Sequence, residues 1–159
     1  MKFIFHPLAE KSAQAILQWQ YPPPYDFYNL TSRATEETLL YLLDPANAFY
    51  GLFNSEESLI AFCSFGLDGQ VNGGDYRLPA LDIGLGLRPD LTGQGHGSEY
   101  VNAVIDFARQ TFTPTQLRVT IAEFNTRAWR VWEKAGFQRK QVFRGGPAKT
   151  SFVILLKTL

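Results

Sequence analysis

Leu87-Arg88-Pro89-Asp90-Leu91-Thr92-Gly93-Gln94-Gly95-His96-Gly97-Ser98 places glycine at three alternate positions between two segments of different periodicity. Upstream, Leu81, Ile83, Leu85 and Leu87 alternate with Asp82, Gly84, Gly86 and Arg88, which is the period of a strand with one nearly bare face. Downstream, Val101, Val104, Ile105, Ala108 and Phe112 recur at the spacing of one helical face. A strand therefore turns through a glycine loop into a helix. Glycine permits positive φ and removes Cβ atoms, and a helix start offers unsatisfied N–H groups and a positive dipole end, so such a loop can hold a pyrophosphate without a lysine. A P-loop needs G-x-x-x-x-G-K-[ST] and a dinucleotide fold needs G-x-G-x-x-G; this loop matches neither. Gly84 and Gly86 would leave the strand backbone approachable by an extended, amide-bearing ligand.

Working outward, Leu117, Val119 and Ile121 predict a second strand, and Asn125 or Thr126 starts a helix through Ala128, Val131, Trp132 and Ala135 that ends at Gly136. Gln138 to Phe143 and Ser151 to Lys157 predict two closing strands. Toward the N-terminus, Phe49 to Phe53 and Leu59 to Leu67 form a hairpin about Asn54-Ser55-Glu56-Glu57-Ser58. Thr35 caps a helix that Asp44-Pro45 closes, with Glu36 and Glu37 favourably placed in its first turn. Lys2 to Phe5 predicts a strand and Leu8 to Gln18 a helix, which Tyr21-Pro22-Pro23-Pro24-Tyr25 must end. The result is an α+β chain with a mixed central sheet flanked by helices.

With 159 residues and 45% apolar composition, the chain reads as a single domain, 1–159, able to bury roughly 70% of its unfolded surface without a disulfide or metal. Cys63 has no partner cysteine, and His6 and His96 are the only histidines, so no metal site is expected. Fifteen basic residues balance fifteen acidic ones, which argues against a nucleic-acid partner. Apolar runs such as Phe152 to Leu156 are too short to span a membrane, and the start of the sequence lacks a signal core. The expected location is the cytoplasm.

Thr92-Gly93-Gln94-Gly95-His96-Gly97 resembles the Q/R-x-x-G-x-G/A motif of the GCN5-related N-acetyltransferase (GNAT) family, matching both glycines and carrying threonine at the first position. Asn125-Thr126-Arg127-Ala128-Trp129-Arg130-Val131-Trp132-Glu133-Lys134-Ala135-Gly136-Phe137 resembles the family segment N-x-x-A-x-x-x-Y-E-K-x-G-F, with Trp132 at the tyrosine position. The resemblance implies the GNAT-type fold and acetyl-CoA as cosubstrate, lying between the strands that begin near Leu81 and Gln116. It implies main-chain contacts from Leu85, Gly86 and Leu87, a pyrophosphate on Thr92, Gly93, Gln94, Gly95, His96 and Gly97, and contact of Asn125 with the cofactor arm. The implied reaction is direct acetyl transfer to a primary amine of a small molecule or of a peptide or protein N-terminus, by a monomer or homodimer.

Many family members use the tyrosine hydroxyl to protonate the leaving thiolate, which an indole cannot do. Trp132 is therefore read either as lining the cofactor cleft or as core, and a catalytically weak acyl-CoA-binding or sensor module is the alternative function. Two carboxylates are candidate bases: Asp82 on the bare face of its strand, and Glu123 just beyond the strand ending near Ile121. Tyr25, Asp26 and Tyr28 are candidate acceptor-binding residues, where aromatic walls and one carboxylate suit an amine. Cys63, inside an apolar strand, reads as a small hydrophobe.

Overall fold

Turn residues divide the chain into elements that run, in the computed structural model of residues 2–159, as β1 (Ile4–Pro7), α1 (Glu10–Leu17), α2 (Glu36–Leu43), β2 (Phe49–Phe53), β3 (Leu59–Phe65), β4 (Leu81–Leu87), α3 (Gly97–Phe112), β5 (Gln116–Ala122), α4 (Thr126–Lys134), β6 (Gln138–Gly145) and β7 (Thr150–Thr158). The residues group into two units, one containing the chain up to Ser64 together with Leu85–Thr92, the other containing Phe65–Gly84 and Gly93–Leu159.

In the first unit β1, β2 and β3 form an antiparallel meander, with Ile4 opposite Phe53 and Phe49 opposite Ser64. This pairing moves β1 two residues beyond the expected Lys2 to Phe5: its register carries Pro7 opposite Tyr50, and Leu8 N–H then donates to Phe49 O at 3.0 Å. Proline is tolerated there because the strand is at its end. Leu8, Ala13, Ile16, Leu17, Leu42 and Phe49 are buried together, and Trp19 and Phe62 pack against them. Each large side chain among them contributes about 1.5–3 kcal/mol by leaving water. Thr35 caps α2 as expected, its Oγ1 accepting from Thr38 N–H at 3.3 Å.

The second unit has a mixed sheet. β4 is parallel to β5, with Asp82 opposite Arg118, whereas β5 and β6 are both antiparallel to β7. The core contains Leu117, Val119, Val153 and Leu155, together with Val101, Val104, Ile105 and Ala108 from α3. Phe65 lies between Phe107 and Phe112, at centroid distances of 5.7 and 4.9 Å. β3 stops at Phe65 rather than Leu67, because Gly66 takes φ +127° and Leu67 enters a short 3-10 turn at 80% exposure. Asn125 caps α4 through its side-chain oxygen and Ala128 N–H at 3.2 Å, and Gly136 takes φ +101° just beyond the helix. The expected α+β class and mixed strand directions are both present.

Candidate functional site

The glycine loop is built as its spacing demands. Gly93 has φ +72° and Gly95 φ +83°, conformations that side-chain-bearing residues rarely adopt, and no atom lies within 4 Å of where a Cβ on Gly95 would stand. Gly93, Gln94, Gly95 and His96 are exposed, and α3 begins at Gly97. Open space at Gly95 and the first amides of a sixteen-residue helix suit a phosphate group. Gly97 has a packing reason as well: a Cβ there would lie 3.1 Å from Val131 Cγ2 on α4. His96 occupies the N-cap position, with Nδ1 3.2 Å from Glu99 Oε1.

Arg127, to which the sequence reading gave no role, reaches this loop. Its Nη1 would stand 3.0 Å from a Cβ on Gly93, which puts a guanidinium beside the glycine loop. The available signal was its place two residues after the α4 cap. Asn125 uses its side-chain oxygen for that cap.

In the other unit, Leu85, Gly86 and Leu87 form the second half of β4. Phe62 covers the side of Gly86 where a Cβ would point, so the glycine is required by an aromatic ring as well as by any ligand approach. Tyr21 Oη donates to Leu87 O at 2.7 Å, and burial pushes this phenol up to about 12. The Leu87 carbonyl thus already has one protein partner. Thr92 Oγ1 donates to Pro89 O at 2.7 Å, tying the residue into the 3-10 turn Pro89–Leu91. Tyr25, Asp26 and Tyr28 share the 3-10 turn Tyr25–Tyr28, with Asp26 exposed and the two tyrosines half-buried. Phe27 meets Tyr28 edge to face at 5.1 Å.

The two carboxylates expected as bases have opposite surroundings. Asp82 is 3% exposed, and the bare face expected for it is covered. Arg118 Nε and Nη2 donate to its two oxygens at 2.7 and 2.8 Å, and Gln70 Nε2 adds a third bond at 2.9 Å. Arg118 in turn donates to Leu78 O at 2.6 Å and lies 4.9 Å from the centre of the Tyr76 ring. This carboxylate is buried and its oxygens are taken by three donors, so it is closed to an incoming amine. Glu123, by contrast, is exposed at the end of β5. Its Oε2 accepts from Ser151 Oγ at 2.5 Å, while its backbone N–H donates to Ser151 O at 2.9 Å and its carbonyl accepts from Trp129 Nε1 at 3.1 Å. The side chain is held and still open. Ser151 was not foreseen, since only the β5–β7 pairing brings it 28 residues back to Glu123.

Trp132 takes the core reading of its two. It is 5% exposed and packs edge to face on Phe137 at 5.0 Å, so the indole belongs to the core of the second unit. Cys63 is fully buried and burial pushes its thiol up, which suits the small-hydrophobe reading. Among the described residues no three His, Cys, Asp or Glu side chains converge as a metal site, and no helix is long and apolar enough to cross a membrane.

Comparison with known proteins adds a family model, described as the acetyltransferase (GNAT) domain, that matches residues 2–138. No curated protein matches by sequence. Solved structures are similar in fold. An acetyltransferase (GNAT family) from Bacillus anthracis has a TM-score of 0.74 at 15% identity, covering 99% of this chain and 95% of that one. The aminoglycoside-acetyltransferase structure AAC(6')-Ib in complex with ribostamycin and coenzyme A scores 0.77 at 17% identity, covering 99% and 94%. A spermidine N-acetyltransferase SpeG chimera from Vibrio cholerae and hSSAT scores 0.71 at 11% identity, covering 99% and 96%.

Proposed function

Since the chain belongs to the GNAT acetyltransferase family, whose cosubstrate is acetyl-CoA, we propose that it transfers an acetyl group directly to a primary amine of a small molecule or of a peptide or protein N-terminus. The observation that carries this reading is the exposed loop Gly93–Gly97, with two left-handed glycines, opening into α3. In the proposal, residues 1–159 act as one catalytic domain in the cytoplasm. The main chain of Leu85, Gly86 and Leu87 serves the amide-bearing arm of the cosubstrate. Thr92 to Gly97 serve its pyrophosphate, with the Arg127 guanidinium adding charge, and Tyr25, Asp26 and Tyr28 serve the acceptor.

The amine nitrogen attacks the thioester carbonyl carbon, a C–N bond forms as the C–S bond breaks, and the nitrogen's proton passes to Glu123 directly or through a water. The products are the acetamide and the coenzyme thiolate. A thiolate is a far better leaving group than an alkoxide, so it can depart and take its proton from solvent without a tyrosine at position 132. No covalent enzyme intermediate is needed: positioning of two substrates supplies most of the rate.

A second reading, a weakly catalytic acyl-CoA-binding module, is favoured by one observation, the buried indole of Trp132 where a hydroxyl donor would stand. Thermal unfolding with acetyl-CoA at a hundred times its dissociation constant should add about 2.7 kcal/mol and raise the midpoint by about 5–10 °C, with ATP and NAD without effect. CoA release with an amine panel then separates the readings. A shift without turnover on any amine supports the binding module, and no shift with acetyl-CoA removes both.

A further inference from the structure

Beyond the groups considered so far, the second unit contains a recess of about 420 Å³ where Asn72 and Gly73 meet the turn between β6 and β7, walled by Arg144, Gly145, Gly146 and Lys149. The backbone makes this hollow. Gly146 N–H donates to Asn72 O at 3.2 Å, and a Cβ on Gly73 would stand 3.0 Å from Arg144 O, so the two segments touch through main chain with no side chain between them. Gly73, Gly146 and Lys149 all have positive φ, at +110°, +70° and +52°.

Two cationic residues, and no acidic one, line the recess. Elsewhere in this unit Arg77 is paired with Asp75, Arg118 with Asp82 and Arg139 with Glu133. Among the described residues neither Arg144 nor Lys149 forms an ion pair, as is also true of Arg109, Arg130 and Lys140, but only these two line the same hollow, and both are exposed. An oxyanion in the hollow can accept charge-assisted hydrogen bonds from the cations of both residues.

Strand register relates the recess to Glu123. Arg144 is directly opposite Ser151 across β6 and β7, so their side chains project from the same face of the sheet. Ser151 Oγ is the donor to Glu123 Oε2. From Glu123 at the end of β5, across β7, to Arg144 on β6 is two strand spacings, roughly 10 Å, part of which the arginine side chain itself spans. A small molecule can meet both ends.

We propose that the recess at Arg144 and Lys149 is an anion subsite, and that the acceptor is an amine that also carries an oxyanion, a carboxylate or a phosphate, a few bonds from its nitrogen. This rests on the acetyltransferase reading above and narrows its substrate class. Arg144 and Lys149 hold the anion, and the amine is thereby presented toward Glu123.

Two measurements on the full chain test it. The first is binding alone: inorganic phosphate and glutarate are titrated while backbone amides are followed by NMR. Saturable shifts confined to residues near 72–73 and 144–149, absent in the Arg144→Gln/Lys149→Gln variant, are expected; no shifts, or shifts unchanged in the variant, overturn the proposal whether or not any amine is turned over. The second is kinetic, with 4-aminobutyrate against 4-aminobutanamide and phosphoethanolamine against ethanolamine as matched pairs that separate the two sources of anion. At least one acidic member should exceed its neutral partner by about tenfold or more in kcat/KM, the scale of a charge-assisted hydrogen bond. In the double variant that preference should fall to about twofold through KM, with acetyl-CoA affinity unchanged. Equal rates within both pairs, or a loss of acetyl-CoA binding in the variant, overturn it. Failure of the acetyltransferase reading shows separately, as absence of the thermal shift with acetyl-CoA.

Discussion

Asp82 and Arg118 face each other across the parallel pair β4 and β5 and join through both carboxylate oxygens, at 2.7 and 2.8 Å, with each side chain 3% exposed. Removing one charge strands the other in the interior. Asp82→Asn should therefore cost about 3–5 kcal/mol, measured by urea unfolding at neutral pH, with Asp82→Leu combined with Arg118→Met recovering part of the loss. A stability of Asp82→Asn within about 0.5 kcal/mol of the parent, the range of ordinary surface changes, would show that the pair is not the anchor its geometry indicates.

Tyr21 offers a pH test. Its phenol is pushed up to about 12 by burial, against an ordinary value of 10. The folded value is the higher one, so the stabilisation carried by the protonated phenol is complete below pH 10 and is lost as pH rises from 10 through 12. Tyr21→Phe removes the bond to Leu87 O and should cost about 0.5–1.5 kcal/mol near neutrality. Denaturation midpoints at pH 8, 10 and 11 should converge for parent and variant as pH rises. Curves that stay parallel across that range would refute the assignment.

What was legible in the sequence was what neighbouring residues decide. The alternation of Leu81 to Leu87, the caps at Thr35 and Asn125, and the glycine after α4 depend on a few successive positions, and all appear. What was not legible depends on partners far along the chain. Asp82 reads as standing on a bare face until β5 brings Arg118 opposite it, 36 residues later, and the Gly86 face reads as open until Phe62 covers it. The shift of β1 follows from its register with β2, which its own four residues do not specify. The recess at Arg144 was equally hidden, because Asn72 meets Gly146 through main chain, without a motif.

Gly95 in the loop and Gly86 in β4 separate ligand binding from packing. Gly95→Ala places a methyl group in the open space of the loop and forces a left-handed alanine, at a cost of about 1–2 kcal/mol. Gly86→Ala instead drives a methyl group into the Phe62 ring, an overpacking worth about 1–3 kcal/mol. Calorimetric titration with acetyl-CoA should show affinity falling about tenfold or more for Gly95→Ala while the protein remains folded, a larger loss than its change in stability alone would give. If Gly95→Ala binds acetyl-CoA as the parent does, the loop is only a turn.

Glu123 and Ser151 test the chemistry. As general base, Glu123 should contribute about 10²–10⁴-fold to turnover, so Glu123→Gln should lose that factor in kcat while the KM for acetyl-CoA stays the same. Ser151 acts through Glu123: its hydroxyl bonds one carboxylate oxygen at 2.5 Å and so fixes the direction in which the other is presented. Ser151→Ala should therefore lower kcat by about tenfold, the scale of one charged hydrogen bond, and Ser151→Thr, which keeps the hydroxyl, should restore most of it. A purely structural serine would alter stability and leave kcat alone, and Thr would then rescue nothing kinetic. Since Ser151 lies across from Arg144 on β6, the same variants measured with acidic and neutral acceptors also separate orientation of the base from capture of the anion. Loss of the base slows both acceptors equally, whereas loss of the cations slows only the acidic one.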